Sequence, residues 1–153
     1  MVYELIEANN DLDLINPTIG ECIYTGILTD TGSFRFPSTT PKTHKIAADL
    51  IERGVIHSQI HERVYDVNTL DRLRLLGYTL NNKLEIIPEI NTAIISLTKE
   101  EMLKFNTQKG YTEGFVNTAL SIVGMNIGIF IKEDDKIVKI SFRSKGNIPV
   151  NEF

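Results

Sequence analysis

What this 153-residue chain has little of bounds it first. Tryptophan is missing and Cys22 is the single cysteine, so an internal disulfide is excluded and a reducing compartment suits the chain. A lone cysteine of this kind reads as a small apolar core residue rather than a nucleophile. No apolar run approaches the roughly 20 residues that a membrane-spanning helix requires. Nor does Met1-Val2-Tyr3-Glu4 open on a basic segment followed by an apolar one, so neither an anchor nor secretion is expected and the cytoplasm is the expected location. There is no excess of positive charge either, the formal net charge being −4. Duplex DNA, which is gripped by neutralising many phosphates, is therefore not an expected partner, whereas a small anion held by a few well-placed cations is compatible with this balance.

What the chain does have is 42% hydrophobic residues, enough for a packed interior in one domain or two small ones. The first half reads as helices joined by short loops. A short helix spans Val2 to Ala8, and Asn16-Pro17 starts a second through an N-cap followed by proline at the first helical position. That helix is expected to bury Ile19, Cys22 and Ile23, with Gly26 and Ile27 further along the same side, and to point towards Asp30. Thr40-Pro41 repeats the start signal for a third helix through Ile46, Ala47, Leu50 and Ile51, closed by Gly54. Two more helices follow, one over 56–65 with Ile56, Ile60 and Val64 in line, and one over 69–80 with leucines at 70, 73, 76 and 80.

The period changes after Asn81-Asn82. Isoleucine-rich stretches at 84–87 and 92–97, with Asn91 between them, predict an antiparallel strand pair. Thr98 and Glu101 have capping-box spacing and open a short helix; another is expected over 115–123. A hairpin with arms at 126–132 and 136–142 is expected to turn at Asp134-Asp135. The reading is thus a helical part to residue 80, ending in a connecting helix, and an α+β part over 81–153.

At 27–36 an apolar run ends in a lone carboxylate, Asp30, followed two residues later by Gly32, with Arg35 between Phe34 and Phe36. Locally this is also ordinary turn and capping chemistry. With its neighbours, however, Thr29-Asp30-Thr31-Gly32-Ser33-Phe34-Arg35-Phe36 and Ser38-Thr39-Thr40-Pro41 resemble a motif of the DHH phosphoesterases. The resemblance is to the bacterial branch that degrades very short RNA and removes phosphate from 3′-phosphoadenosine 5′-phosphate. Thr112-Glu113-Gly114-Phe115-Val116-Asn117 and Ile140-Ser141-Phe142-Arg143-Ser144-Lys145 resemble the DHH-associated substrate-binding domain. Two motif sets in the expected order are more specific than either alone, and the resemblance covers essentially the whole chain.

That resemblance implies an α/β family, α+β over this segment. Residues 1–80 would be the C-terminal part of the DHH catalytic domain with its linker helix. Residues 81–153 would be the start of the associated domain, built on a mixed or antiparallel sheet. It also implies a two-metal site, usually manganese, that activates water for displacement at phosphorus. By motif match Asp30 would be one catalytic metal ligand, Arg143 would grip substrate, and Ser141, Lys145 and Asn147 would add donors beside it. Arg143 suits the role because a guanidinium can hold phosphate bidentately or stack on a base. Glu113 and Asn117 match the family too, either at the site or in fixing the loop between domains.

The departures from the family point the same way. The upstream sheet segment with the Asp-His-His signature and the downstream glycine-rich histidine run are not in this sequence, so the chain reads as an internal piece, inactive by itself. The implied activity of the longer protein is that of a manganese-dependent exonuclease on short single-stranded oligonucleotides or a phosphatase on nucleotide phosphates. Polyphosphate and cyclic dinucleotides are alternative substrates within the family, and a homodimer is compatible with the resemblance. A non-catalytic nucleotide-binding or assembly module is the alternative outside it. His57 and His61 have the spacing of a metal pair but lack the glutamate directly after the first histidine, and they read as a solvent-facing helix, as His44 reads as surface.

Overall fold

The structure, a computed structural model, describes residues 1–146 and 148–150. It divides into two compact units, Met1–Val67 and the residues from Asn68 onward. The first unit is helical: α1 (Val2–Ala8), α2 (Pro17–Asp30), α3 (Pro41–Glu52) and α4 (His57–Tyr65). The start signals act as read. The Asn16 side chain accepts the Ile19 amide hydrogen, and Thr40 and Thr43 exchange capping bonds at the head of α3.

The faces differ from those expected. Leu28, Leu50, Tyr24, Val55 and Ile60 form the core with Tyr3, Ile15 and Ala47. On α2 the buried residues are Gly20, Tyr24 and Leu28, while Cys22 is exposed and Ile19 is 40% exposed. Cys22 is therefore not a core residue. The reason lies in α2, which is apolar around most of its circumference. Gly20 turns one face into the buried one, because Val55 and Leu50 pack where a side chain would stand: a Cβ at Gly20 would lie 2.7 Å from Val55.

A small polar network ties the ends of this unit together. Asp49 accepts from the Tyr3 hydroxyl at 2.8 Å and from Arg53 Nε at 2.7 Å, and Arg53 Nη1 donates to the Leu12 carbonyl at 2.7 Å. The Arg53 bond, with help from Tyr3, holds the Asp49 carboxyl below the usual range. Burial and then the bond to Asp49 push the Tyr3 phenol up to about 12.

The second unit begins with α5 (Leu70–Asn82), capped by Thr69, which accepts from Arg72 N. Then follow β1 (Leu84–Ile87), β2 (Thr92–Leu97), α6 (Lys99–Leu103), α7 (Phe115–Leu120), β3 (Ile127–Asp134) and β4 (Ile137–Ser144). The sheet has the order β1-β2-β3-β4, with β1/β2 and β3/β4 antiparallel and β2/β3 parallel. It is thus a mixed sheet, the parallel pair being joined by the segment that carries α6 and α7. Asn91 supplies the left-handed residue between β1 and β2 with φ 49°.

Two boundaries shift from expectation. Helix α7 stops at Leu120 rather than 123. The last hairpin turns at Asp135-Lys136, with φ 51° at Asp135, because Asp134 is the last residue of β3. The core is Leu75, Ala93, Ile95, Leu97, Phe115, Val116, Ala119, Met125 and Phe130. The helix read as a connector therefore packs into this core through Leu75, whereas Leu70 and Leu73 of the expected leucine stripe are 61% and 49% exposed. No helix among the described residues is long and apolar enough to cross a membrane.

Candidate functional site

Asp30 is the last residue of α2 and is exposed. Its carboxylate enters no hydrogen bond or ion pair among the described residues, and no basic residue occupies the last turn of its helix. A carboxylate at a helix C-terminus faces the negative end of the helix dipole, which disfavours it. The fold thus presents an acid at the end of a helix whose dipole opposes it, with no ion-pair partner among the described residues to offset the cost.

The chain leaves α2 through an unusual turn. Gly32, Ser33 and Phe34 are left-handed in succession, with φ 54°, 61° and 64°. Non-glycine residues in this region cost on the order of 1–3 kcal/mol each, so the surroundings must hold them there. Thr31, itself buried, is the pivot. Its hydroxyl donates to the Ile27 carbonyl at 2.6 Å and accepts the Phe34 amide hydrogen at 3.0 Å. Its carbonyl accepts the amides of Arg35 and Phe36, both at 3.0 Å.

Side chains complete the clamp. The Phe36 ring lies on Gly32 so closely that a Cβ there would sit 2.5 Å from it, which together with the positive φ requires glycine. Phe34 stacks on His44 with centroids 5.2 Å apart and meets the edge of Tyr24 at 6.1 Å. His61 Nδ1 lies 2.9 Å from the His57 carbonyl, and with the proton there Nε2 is left to accept from the Ser33 hydroxyl at 3.4 Å. His57 and His44 are exposed as expected, but His61 is half-buried against the turn. Gly32 N and Ser33 N also find carbonyl partners, in Thr29 and Leu28. Every amide from 32 to 36 is therefore occupied, and the turn offers no free amide to an anion. What it presents is the Asp30 carboxylate.

Asp30 and Thr31 border a groove of about 480 Å³ walled by Cys22, Ile23, Gly26 and Ile27 of α2 together with Ile46. Of the α2 residues expected in the core, Cys22, Ile23 and Ile27 thus border this groove, Ile23 and Ile27 packing against the core as well. Lys42, also at the groove, is engaged by Glu4 at 2.8 Å and Glu7 at 3.7 Å and leaves Asp30 unneutralised. The Thr39 hydroxyl, in the Ser38-Thr39-Thr40-Pro41 segment, is buried with no hydrogen-bond partner among the described residues. Among the described residues no group of three or more His, Cys, Asp or Glu side chains is placed to hold a metal ion. The donor chemistry of Asp30, a hard oxygen free of competing cations, fits one ligand of a divalent ion but not a site by itself.

Arg143, Ser141 and Lys145 belong to the second unit. Arg143 and Ser141 sit two apart on β4 and so share a face, while Lys145 follows the strand end. The Arg143 guanidinium is exposed and, among the described residues, makes one bond, Nη1 donating to the Phe142 carbonyl at 2.9 Å. Lys145 is exposed and its amide donates to the Asn126 carbonyl at 2.9 Å. Asn147 lies outside the described residues. Arg143 stands opposite Gly128 on β3, and a Cβ at Gly128 would lie 2.9 Å from the Val116 carbonyl oxygen. Helix α7 therefore seats directly on the β3 backbone beside Arg143. The Glu113 carbonyl accepts Arg72 Nη2 at 2.7 Å, so that residue's main chain anchors the loop before α7. Sequence reading missed Lys132 and its contact at 3.1 Å with Thr112 of the 112–117 motif, which joins residues on opposite sides of α7; no spacing signal links them.

No protein-family model matches the chain. It is 33% identical over 149 residues to the bifunctional oligoribonuclease and PAP phosphatase NrnA of Bacillus subtilis, a match covering 97% of this chain and 47% of that protein. It is 28% identical over 126 residues to the NrnA of Thermus thermophilus, covering 82% of this chain and 37% of that protein. Among solved structures, an exopolyphosphatase-related protein from Bacteroides fragilis superposes with a TM-score of 0.95 at 41% identity, covering 99% of this chain and 44% of the other. The chain spans about half the length of the curated relatives it matches. Over the segment it spans, the chain is thus similar throughout to the NrnA proteins, which are oligoribonuclease and PAP phosphatases of the DHH family.

Proposed function

We propose that this chain is part of a metal-dependent phosphoesterase that hydrolyses short oligoribonucleotides and 3′-phosphoadenosine 5′-phosphate, in which Asp30 is a metal ligand and Arg143 holds substrate. The observation that carries the reading is the unpaired Asp30 carboxylate, fixed at the end of α2 by a strained and fully bonded turn. A bound manganese pair would supply Lewis acidity and an activated water. Asp30 provides one oxygen donor and Thr31 keeps the turn that carries it. Arg143, with Ser141 and Lys145, orients and neutralises phosphate. One carboxylate holds a divalent ion weakly, so the activity belongs to the full-length protein, acting in the cytoplasm, and the chain alone is inactive.

The test is hydrolysis of a short RNA by the full-length protein with manganese. Asp30→Ala is expected to abolish turnover, and Arg143→Ala to act chiefly through weaker substrate binding. Wild-type turnover by the Asp30→Ala protein would overturn the assignment. A second reading, polyphosphate as substrate, is favoured by the description of the Bacteroides fragilis neighbour as exopolyphosphatase-related. Phosphate release from polyphosphate with no cleavage of short RNA would select it.

A further inference from the structure

The face of the sheet that carries Arg143 also carries a cation that the proposed site does not use. In the β3/β4 register, Gly128 stands opposite Arg143, Phe130 opposite Ser141 and Lys132 opposite Lys139. Residues directly opposite share a face, so these three rows lie along one side of the sheet. Lys132 is half-buried, flanked on β2 by the buried Leu97. Its ammonium donates to the hydroxyl of buried Thr112 at 3.1 Å and enters no ion pair among the described residues. An ammonium carries three donors, and a half-buried one whose only partner is a hydroxyl is under-neutralised.

The neighbouring charges have been assigned elsewhere. Lys139 is paired with Asp134, Lys99 with Asp135 at 2.6 Å, and Glu133 accepts the Lys99 amide hydrogen at 2.7 Å. Asp134 is held below the usual carboxylate range first by its bond to Lys139, with Lys132 and Lys99 adding to the field. Among the described residues Lys132 and the exposed turn residue Lys136 have no carboxylate partner, and of these two Lys132 is the one that stands in a β3 row on the Arg143 side of the sheet.

We propose that Lys132, positioned by Thr112, is a second phosphate-contacting residue that reads the length of the substrate. The inference rests on the reading of Arg143 as a substrate contact. Four strand residues separate the two rows, a distance of about 13 Å at the usual rise. Stacked nucleotides advance roughly 3.4 Å per phosphate along one strand, so about four steps span it. An oligonucleotide of about five residues whose 5′ end carries a phosphate, through which a label can be attached, touches both cations; a dinucleotide or a nucleoside bisphosphate at Arg143 touches one.

The experiment is fluorescence-anisotropy titration of the full-length protein with 5′-labelled RNAs of two and five nucleotides, in EDTA to prevent turnover. Lys132→Gln is expected to weaken five-mer binding roughly three- to tenfold and to lower the salt slope of log K by about 0.7, one single-strand phosphate contact, while leaving the dinucleotide unchanged. Thr112→Val should show the same length-dependent loss in smaller measure, and Lys132→Arg should retain most of the five-mer affinity. Unchanged five-mer binding by the Lys132→Gln protein, or an equal loss for both lengths, overturns the proposal. If Arg143→Ala binds both RNAs as tightly as the wild type, the underlying reading of the site fails instead, whatever Lys132 does.

Discussion

Thr31 and Phe34 are bound to each other across the left-handed turn, the Thr31 hydroxyl accepting the Phe34 amide hydrogen at 3.0 Å while donating to the Ile27 carbonyl. One side chain thus closes the end of α2 and satisfies a backbone group that the strained turn would otherwise strand. Replacing Thr31 by valine keeps the shape and removes both bonds. Leaving a partly buried amide without an acceptor costs about 1–3 kcal/mol, so Thr31→Val should lower the stability of the chain by about 2 kcal/mol. Thr31→Ser, which restores the hydroxyl, should stay within about 0.5 kcal/mol of the wild type. Urea unfolding followed by circular dichroism measures both, and equal losses in the two variants would mean that the methyl group, not the hydroxyl, matters.

Two glycines of the second unit should respond to alanine with opposite signs. At Gly128 the new Cβ would stand 2.9 Å from the Val116 carbonyl oxygen and 3.2 Å from Leu120 Cβ, and backbone cannot yield cheaply. Gly128→Ala is therefore expected to destabilise by about 1–3 kcal/mol through overpacking. Gly77, inside α5, has nothing within 4 Å of the added atom. Gly77→Ala should stabilise by about 0.5–1 kcal/mol through helix propensity alone. Thermal denaturation of the two variants checks the pair.

Acid stability should depend on Glu101. Its carboxylate accepts the Thr98 amide hydrogen at 2.9 Å, then the Tyr78 hydroxyl at 2.9 Å, and pairs with Lys83 at 3.1 Å. These contacts, the backbone bond foremost, depress its folded value to about 2 from 4.5. A carboxyl depressed on folding takes up its proton first in the unfolded chain. Its contribution is therefore complete above the ordinary value and is lost as pH falls from about 4.5 towards 2. Glu101→Gln should flatten the stability profile over that window and leave its shape near neutrality unchanged; unfolding midpoints at a series of pH values provide the comparison.

The local signals were legible where one residue fixes one bond. Asn16, Thr40 and Thr98 all cap the helices that follow them, and Asn91 makes the turn before β2; Thr69, read as helical, proves to be the cap of α5. Faces were less legible, because α2 and α5 carry apolar residues on more than one side. On α2, Gly20 rather than Ile19 marks the buried side, since close packing of Val55 needs the smallest residue. On α5, Leu75 and Thr79 are buried, and the Thr79 hydroxyl is satisfied by the Leu75 carbonyl at 2.7 Å. A threonine that bonds its own helix can be buried without penalty, and a search for apolar period passes it over. The motif around Asp30 was readable as a sequence, but the three left-handed residues were not, because Ser33 and Phe34 have no intrinsic preference for that region.

The position of Asp30 separates a ligand from a turn former by stability alone. A capping or turn role would give the carboxylate a partner in the chain, and neutralising it would then destabilise the fold. Here it has none among the described residues, and it stands at the end of α2 where the dipole opposes negative charge. Asp30→Asn keeps the size and removes the charge, so it should raise the stability of the first unit by about 0.3–1 kcal/mol, the usual scale of a charge at a helix terminus. The gain should shrink as salt is added, since an exposed charge is screened. A residue whose neutralisation stabilises the fold but abolishes hydrolysis in the full-length protein is held for its chemistry. Loss of stability in the Asp30→Asn chain would return Asp30 to the role of a turn residue.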